Sequence, residues 1–332
     1  MPGVRRLVIA LCLLFFACER STVPAEISDR EFWNLIDSLS EAPGTFSISE
    51  NLVSNEPHFA ESVRVLRPGE SVFIGVGPEQ NFSYIARLRP SMAFIIDIRR
   101  ENRNLHLMYK ALFELSTDRS DFVSRLFSRP PPHTRDTSAS ADDLFRRYEG
   151  IAASHELFTT NTALVKERLV ATHGFPLSEG DLRDIDRAFT AFFEDGPEIH
   201  FWGSRNDDSA GPSYRQLMTA RDVRGLARSF LADEDAFRAV KGLQERNLIV
   251  PVIGDFAGAT AIRRVGNYVR ERADVVRAFY GSNVSVYLTN EQERTFCANL
   301  STLPIAPRAV FIDSNAVRPF DQKLAACTAG KR

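Results

Sequence analysis

Ser71-Val72-Phe73-Ile74-Gly75-Val76-Gly77-Pro78-Glu79-Gln80-Asn81 opens the stretch whose reading decides the fold, and that stretch runs on to Phe113. Val72-Phe73-Ile74 is apolar without alternation, as in a strand buried on both faces of a parallel sheet. Two glycines spaced by one residue follow, and Pro78 suits a helix entrance because it has no amide proton to satisfy. A helix over Gln80 to Leu88 then presents its first amides to a ligand approaching the glycine turn. Ala93-Phe94-Ile95-Ile96 reads as a second buried strand ending at Asp97, twenty residues after Gly77. An acid at that place can hydrogen-bond a ribose. Leu105, Met108, Leu112 and Leu115 recur at helical spacing in a second helix.

Outward from this unit, three more strands are expected. Leu248 to Phe256 is apolar but holds Pro251, which costs a ladder bond in a central strand, so the strand starts after it or bulges. Val275 to Tyr280 reads as the fourth strand and Ala309 to Asp313 as the fifth. Strands alternating with helices predict an α/β fold with a doubly wound, mostly parallel Rossmann-like sheet. Some 130 residues of mostly helical pattern separate the second helix from the third strand, far more than a crossover requires. Within them, helices are expected over Asp143 to Glu149, His155 to Thr172, Ser178 to Phe193 and Asp233 to Arg246, with a short strand over Glu198 to Gly203. Ser128 to Asp142, with Pro130-Pro131-Pro132, reads as a mobile loop. The resulting division is a signal over 1–18, a tether and helical segment over 19–70, the first half of the sheet domain over 71–117, a helical insertion or lid over 118–246, and the second half over 247–332.

Several segments carry a resemblance. Ser71 to Arg103 resembles the first two motifs of the class I S-adenosylmethionine-dependent methyltransferases. Asn51 to Glu56, Val72 to Ala86, Ile96 to Asn102, Asn247 to Gly258 and Phe279 to Val284 look more closely like an uncharacterised bacterial methyltransferase-like family. The resemblance implies a methyltransferase-like fold with S-adenosylmethionine or a related nucleoside as the small-molecule ligand. Gly75 and Gly77 would make room for its methionine portion, Glu79 and Asn81 would contact the cofactor, Asp97 would hold its ribose, and Asp255 with Phe256 its adenine; Asp255 is otherwise a helix N-cap. Arg99 reaches the cofactor or forms an exposed charged helix entrance. Asn283, at the end of the fourth strand, is the candidate for orienting the acceptor, and suits a turn equally. Tyr280 and His200 are the candidate bases. Asn55 and Glu56 fold over the ligand or make a surface turn, and Trp202 and Tyr214 sit near the pocket or in ordinary packing. Phe73 stands where such methyltransferases usually carry an acid, and Glu79 where they carry a third glycine. Those replacements support the alternative of an exported binding module that kept the fold without the chemistry.

Composition bounds the rest. An apolar fraction of 44% and a charged fraction of 25% predict a packed core, and a net charge of -2 without any basic block gives no case for nucleic acid. Six scattered histidines and four cysteines give no metal-ligand spacing. Arg5-Arg6 before the apolar run Leu7 to Ala17, ending at Cys18, reads as an export signal with a lipoprotein cleavage site. Contact with a membrane is then expected only through that signal or lipid anchor, at the periplasm or cell surface; if the signal is not used, the chain stays in the cytoplasm. Cys297 and Cys327 are left as one candidate disulfide.

Overall fold

The computed structural model describes residues 23–46, 51–132, 136–201, 211–314 and 316–329. The export and lipidation reading on residues 1–18, and Trp202, lie outside them. Strands β1 (Val72–Gly75), β2 (Met92–Asp97), β3 (Ile249–Ile253), β4 (Val276–Ser282) and β5 (Ile305–Asp313) pair in parallel, and β6 (Val317–Pro319) adds antiparallel to β5. The order is β3-β2-β1-β4-β5-β6. The fold is therefore α/β on a mostly parallel six-stranded sheet, compatible with a Rossmann-like winding in which the direction of progress reverses between β1 and β4. β1 and β2 are buried along their whole length, which explains their unbroken apolar runs.

Pro251 does sit inside a strand. β3 is an edge, so a residue without an amide proton is tolerated there. That edge is partly satisfied by the chain leaving the first helix, where Glu41 N–H donates to the Ile253 carbonyl at 2.8 Å and Ile253 N–H to Ser40 Oγ at 3.0 Å.

The helices are α1 (Asp29–Leu39), α2 (Phe59–Val65), α3 (Gln80–Leu88), α4 (Arg100–Leu115), α5 (Arg119–Leu126), α6 (Ala141–Arg146), α7 (His155–Lys166), α8 (Glu179–Asp195), α9 (Tyr214–Thr219), α10 (Glu234–Glu245), α11 (Ala261–Glu271), α12 (Val284–Tyr287), α13 (Asn290–Leu300) and α14 (Phe320–Ala329). Local chemistry sets several of their starts. Ser28 and Glu31 form a capping box on α1, with Ile27 buried beside it, and Ser178 with Asp181 forms another on α8. A turn of π-helix, Glu167–Thr172, continues α7. Cys297 and Cys327 are bonded and tie α13 to α14.

Residues 118–246, expected as a helical insertion or lid, are mostly helical in their described part. Their helices pack in a layer on α4, which meets α8 on one side and α10 on another, and their apolar side chains join the same core as the sheet. Amphipathic helices of this length must bury a face, and α4 supplies the surface. The described part of Ser128 to Asp142 is anchored as well. Arg119, almost wholly buried, donates to the carbonyls of Thr137 and Ala139 and, from its other nitrogen, to Leu231 at 2.9 Å and Ala232 at 3.0 Å. Of the strand expected over Glu198 to Gly203, residues 198–201 are described: Gly196–Glu198 forms a 3-10 turn and His200 makes one isolated bridge to Ser213.

Candidate functional site

The C-terminal ends of β1, β2, β3 and β4 meet at a cavity of about 220 Å³, the place where open α/β sheets bind ligands. Each strand contributes through the residues that end it. Val76, Gly77 and Pro78 follow β1; Asp97, Ile98 and Arg99 end β2; Gly254, Asp255 and Phe256 follow β3; Tyr280, Ser282 and Asn283 end β4. Thr45, Phe46, Asn51, Ser54, Asn55, Phe201 and the segment from Val284 to Gln292 close the sides.

The glycine turn is fixed from below. Gly77 has φ +76°, and a Cβ built on it would meet nothing within 4 Å, so its backbone faces open space. Its carbonyl receives His106 Nε2–H at 2.8 Å and Asn81 Nδ2–H at 3.1 Å. Burial holds the His106 imidazole neutral by pushing its pKa down to about 4. Asn81 Nδ2 also reaches the carbonyls of Val76 at 2.9 Å and Pro78 at 2.7 Å. Asn81 is thus no ligand contact: it is fully buried and its amide staples the turn. Gly75 is likewise structural, because a Cβ there would lie 1.9 Å from Asn81 Oδ1.

Glu79 also turns away from the cavity. It is 0% exposed, and both its oxygens accept from Ser54 N–H at 3.2 Å, which ties the loop before α2 to the start of α3. Burial without a cation raises its carboxyl to about 8, so it is protonated at neutral pH. The helix turn after Pro78 directs this side chain inward, where a ligand cannot reach it.

Asp97 and Arg99 both wall the cavity and grip each other. Arg99 Nε and Nη2 donate to the two carboxylate oxygens at 3.1 Å each, and Arg99 N–H adds a bond of 2.9 Å. Both are buried, so the exposed helix entrance is not what Arg99 forms. Asp255 accepts from Ala257 N–H at 2.8 Å and caps its own turn. It is not the N-cap of α11, whose first amides are taken by the Glu41 carboxylate through Thr260 and Ala261. Phe256 edges the cavity with its ring stacked 4.9 Å from Phe296.

Asn55 and Asn283 line the cavity. Glu56 is not among the lining residues and is no surface turn: it is 4% exposed and accepts from Gln80 Nε2 at 2.9 Å and from Ser282 Oγ. Tyr214 is wholly buried, 5.4 Å edge-on to Phe127 and 6.0 Å from Phe192, because α9 packs its apolar face on the helical layer. His200 bonds the Gly211 carbonyl through Nδ1 at 3.2 Å and is not among the residues lining the cavity.

Three residues escaped sequence reasoning. Gln80 is a hub whose Nε2 reaches Glu56, Tyr84 OH at 3.1 Å and Tyr280 OH at 3.2 Å. His106 supports Gly77 from α4, and a histidine one helical turn beyond the acid-ending strand was its only signal. Asn51 lines the cavity with a buried Oδ1 that has no partner among the described residues, an acceptor open to a ligand's donor.

The chain belongs to the family described as Domain of unknown function (DUF7790), which it matches over residues 51–324. No curated protein matches it.

Proposed function

We propose that the protein binds S-adenosylmethionine in this cavity and is a methyltransferase-like protein acting on a small molecule. One observation carries the reading: Gly77, Asp97 and Asp255, delivered by the ends of three adjacent strands, wall a single cavity at the point where the strand order reverses. The residues present fit the group. Open space over Gly77 admits the methionine portion, Asp97 offers its remaining lone pairs to ribose hydroxyls, and Asp255 with Phe256 offers an acceptor and an apolar edge to adenine. The unpartnered Asn51 Oδ1 is an acceptor for an amino group.

When bound, the group supplies an electrophilic methyl on a positively charged sulfur. The chain's part in such a displacement is to hold donor and acceptor in line and to keep water out. Asn283 and Tyr280, at the end of β4, would orient the acceptor, and Asn55, Phe46 and Phe201 line the same cavity.

Buried Phe73 favours a second reading, a binding module that kept the fold. Its ring packs on Tyr84 at 6.3 Å and leaves no acid beside the turn for the methionine amino group. Calorimetric titration with S-adenosylmethionine and S-adenosylhomocysteine tests the first reading. Micromolar binding, weakened at least tenfold by Asp97→Asn, is expected; a folded protein that binds neither ligand leaves the second reading standing.

A further inference from the structure

Glu56 and Ser282 lie 226 residues apart in sequence and are hydrogen-bonded at the foot of the cavity. Glu56 is buried with no cation in ion-pair distance among the described residues, an expensive state for a carboxylate. Its oxygens take hydrogen bonds from Ser282 Oγ and Gln80 Nε2. The groups facing it are Gln80 and Tyr84 from α3, Tyr280 and Ser282 from β4, and Asp313 from β5.

Ser282 is held in an unusual backbone state to make this contact. Its φ is +48°, in the left-handed region, at a register shift where β4 parts from β5. A non-glycine residue kept there is uncommon and persists where its surroundings over-determine it. The serine walls the ligand cavity, and with Asn283 it also walls a second cavity of about 740 Å³ between β5, α13 and α14. Ser282 is thus shared by the two cavities.

We propose that Ser282 and Glu56 form a proton relay for a methyl acceptor whose reacting hydroxyl or ammonium must lose a proton. The inference rests on the methyltransferase reading and names the acceptor class for it. In the step, a lone pair on the acceptor oxygen, or on the amine nitrogen once the ammonium has lost its proton, would form the bond to the methyl carbon as the carbon–sulfur bond breaks and its electrons return to sulfur. The acceptor's proton passes to Ser282 Oγ and the serine's own proton to Glu56, so the charge lost by sulfur is balanced by the carboxylate becoming neutral. Burial raises the Glu56 carboxyl above its ordinary range, which gives it more affinity for that proton.

The test uses the full chain with glutamate carbon-13 labelled at the side-chain carboxyl, titrated by NMR with S-adenosylmethionine bound and, separately, with S-adenosylhomocysteine bound. Glu56→Gln assigns the resonance, and Glu56→Asp does so if the first variant does not fold. Glu56 is expected to titrate above the ordinary carboxylate range, and Ser282→Ala to move the midpoint further up, because the charged form loses a donor. The sulfonium is expected to place the midpoint about half a pH unit or more below that with the thioether, since a positive charge near the relay favours the carboxylate. A carboxyl that serves only structure, away from the methyl, would not distinguish the two ligands. If both ligands bind and Glu56 titrates in the ordinary range, or identically with both, the relay is overturned and the methyltransferase reading stands. If neither binds, that reading fails and the relay falls with it.

Discussion

His106 Nε2 donates to the carbonyl oxygen of Gly77 at 2.8 Å, joining α4 to the turn that faces the ligand. Burial depresses the His106 pKa from 6.5 to about 4, so the unfolded chain binds the proton more readily. Its neutral form therefore favours folding above pH 6.5, and that contribution is lost as pH falls toward 4, to a total of roughly 3 kcal/mol. Urea unfolding across pH 4 to 7 should show this acid-side loss, and His106→Leu should remove it while lowering stability at pH 7 by about 1–3 kcal/mol.

Glu79 acts with the opposite sign. Its pKa is raised by burial from 4.5 to about 8, so its contribution is complete below pH 4.5 and is lost as pH rises to 8. Between pH 6.5 and 8, where His106 no longer titrates, this group alone should cost the fold about 2 kcal/mol. Glu79→Gln, which keeps the shape and cannot ionise, should flatten that alkaline decline in the same unfolding series. A decline unchanged in the variant would assign it elsewhere.

Gly77→Ala separates stability from binding. The added methyl meets no atom of the protein, so only the left-handed backbone at φ +76° is penalised. That cost is about 1–2 kcal/mol, a fall of a few degrees in Tm. The methyl projects into space the ligand needs, so S-adenosylhomocysteine affinity should drop at least tenfold in a protein that remains folded. Equal affinity would show that the ligand does not approach the turn.

Cys297–Cys327 closes a segment of 30 residues and fastens α14, whose Lys323 pairs with Glu293 at 2.9 Å. Loop closure of this length contributes roughly 3–4 kcal/mol through the unfolded chain. Paired Cys297→Ser and Cys327→Ser substitutions, or reduction, should lower the unfolding free energy by that order, measured by chemical denaturation. The cavity at the β1–β4 switch shares no cysteine, so ligand affinity should stay within twofold.

The sequence by itself determined the unit from Val72 to Asp97. Unbroken apolar runs dictate buried parallel strands, spaced glycines dictate a turn, and helix α3 begins and ends where its pattern does. Spacing singled out Asp97 and a strand end Asn283, while Asp255 came from the family resemblance; all three line the cavity. Tertiary structure decided what local patterns could not contain. Glu79 and Asn81 belong to the ligand-facing turn by sequence, yet the rotation of the first turn of α3 sends both side chains into the core, one as a protonated acid and the other as a staple. Tyr214 was claimed by an aromatic layer built from helices far away in the chain. Arg99 could be read as solvated until its geometry on Asp97 was seen. The contact of Glu56 with Ser282 depends on β4 lying beside β1 and on the loop before α2 being pinned by Glu79. Periodicity reports which face of an element is buried; which distant residue it is buried against is fixed only when the sheet closes and the carboxylates must find their donors.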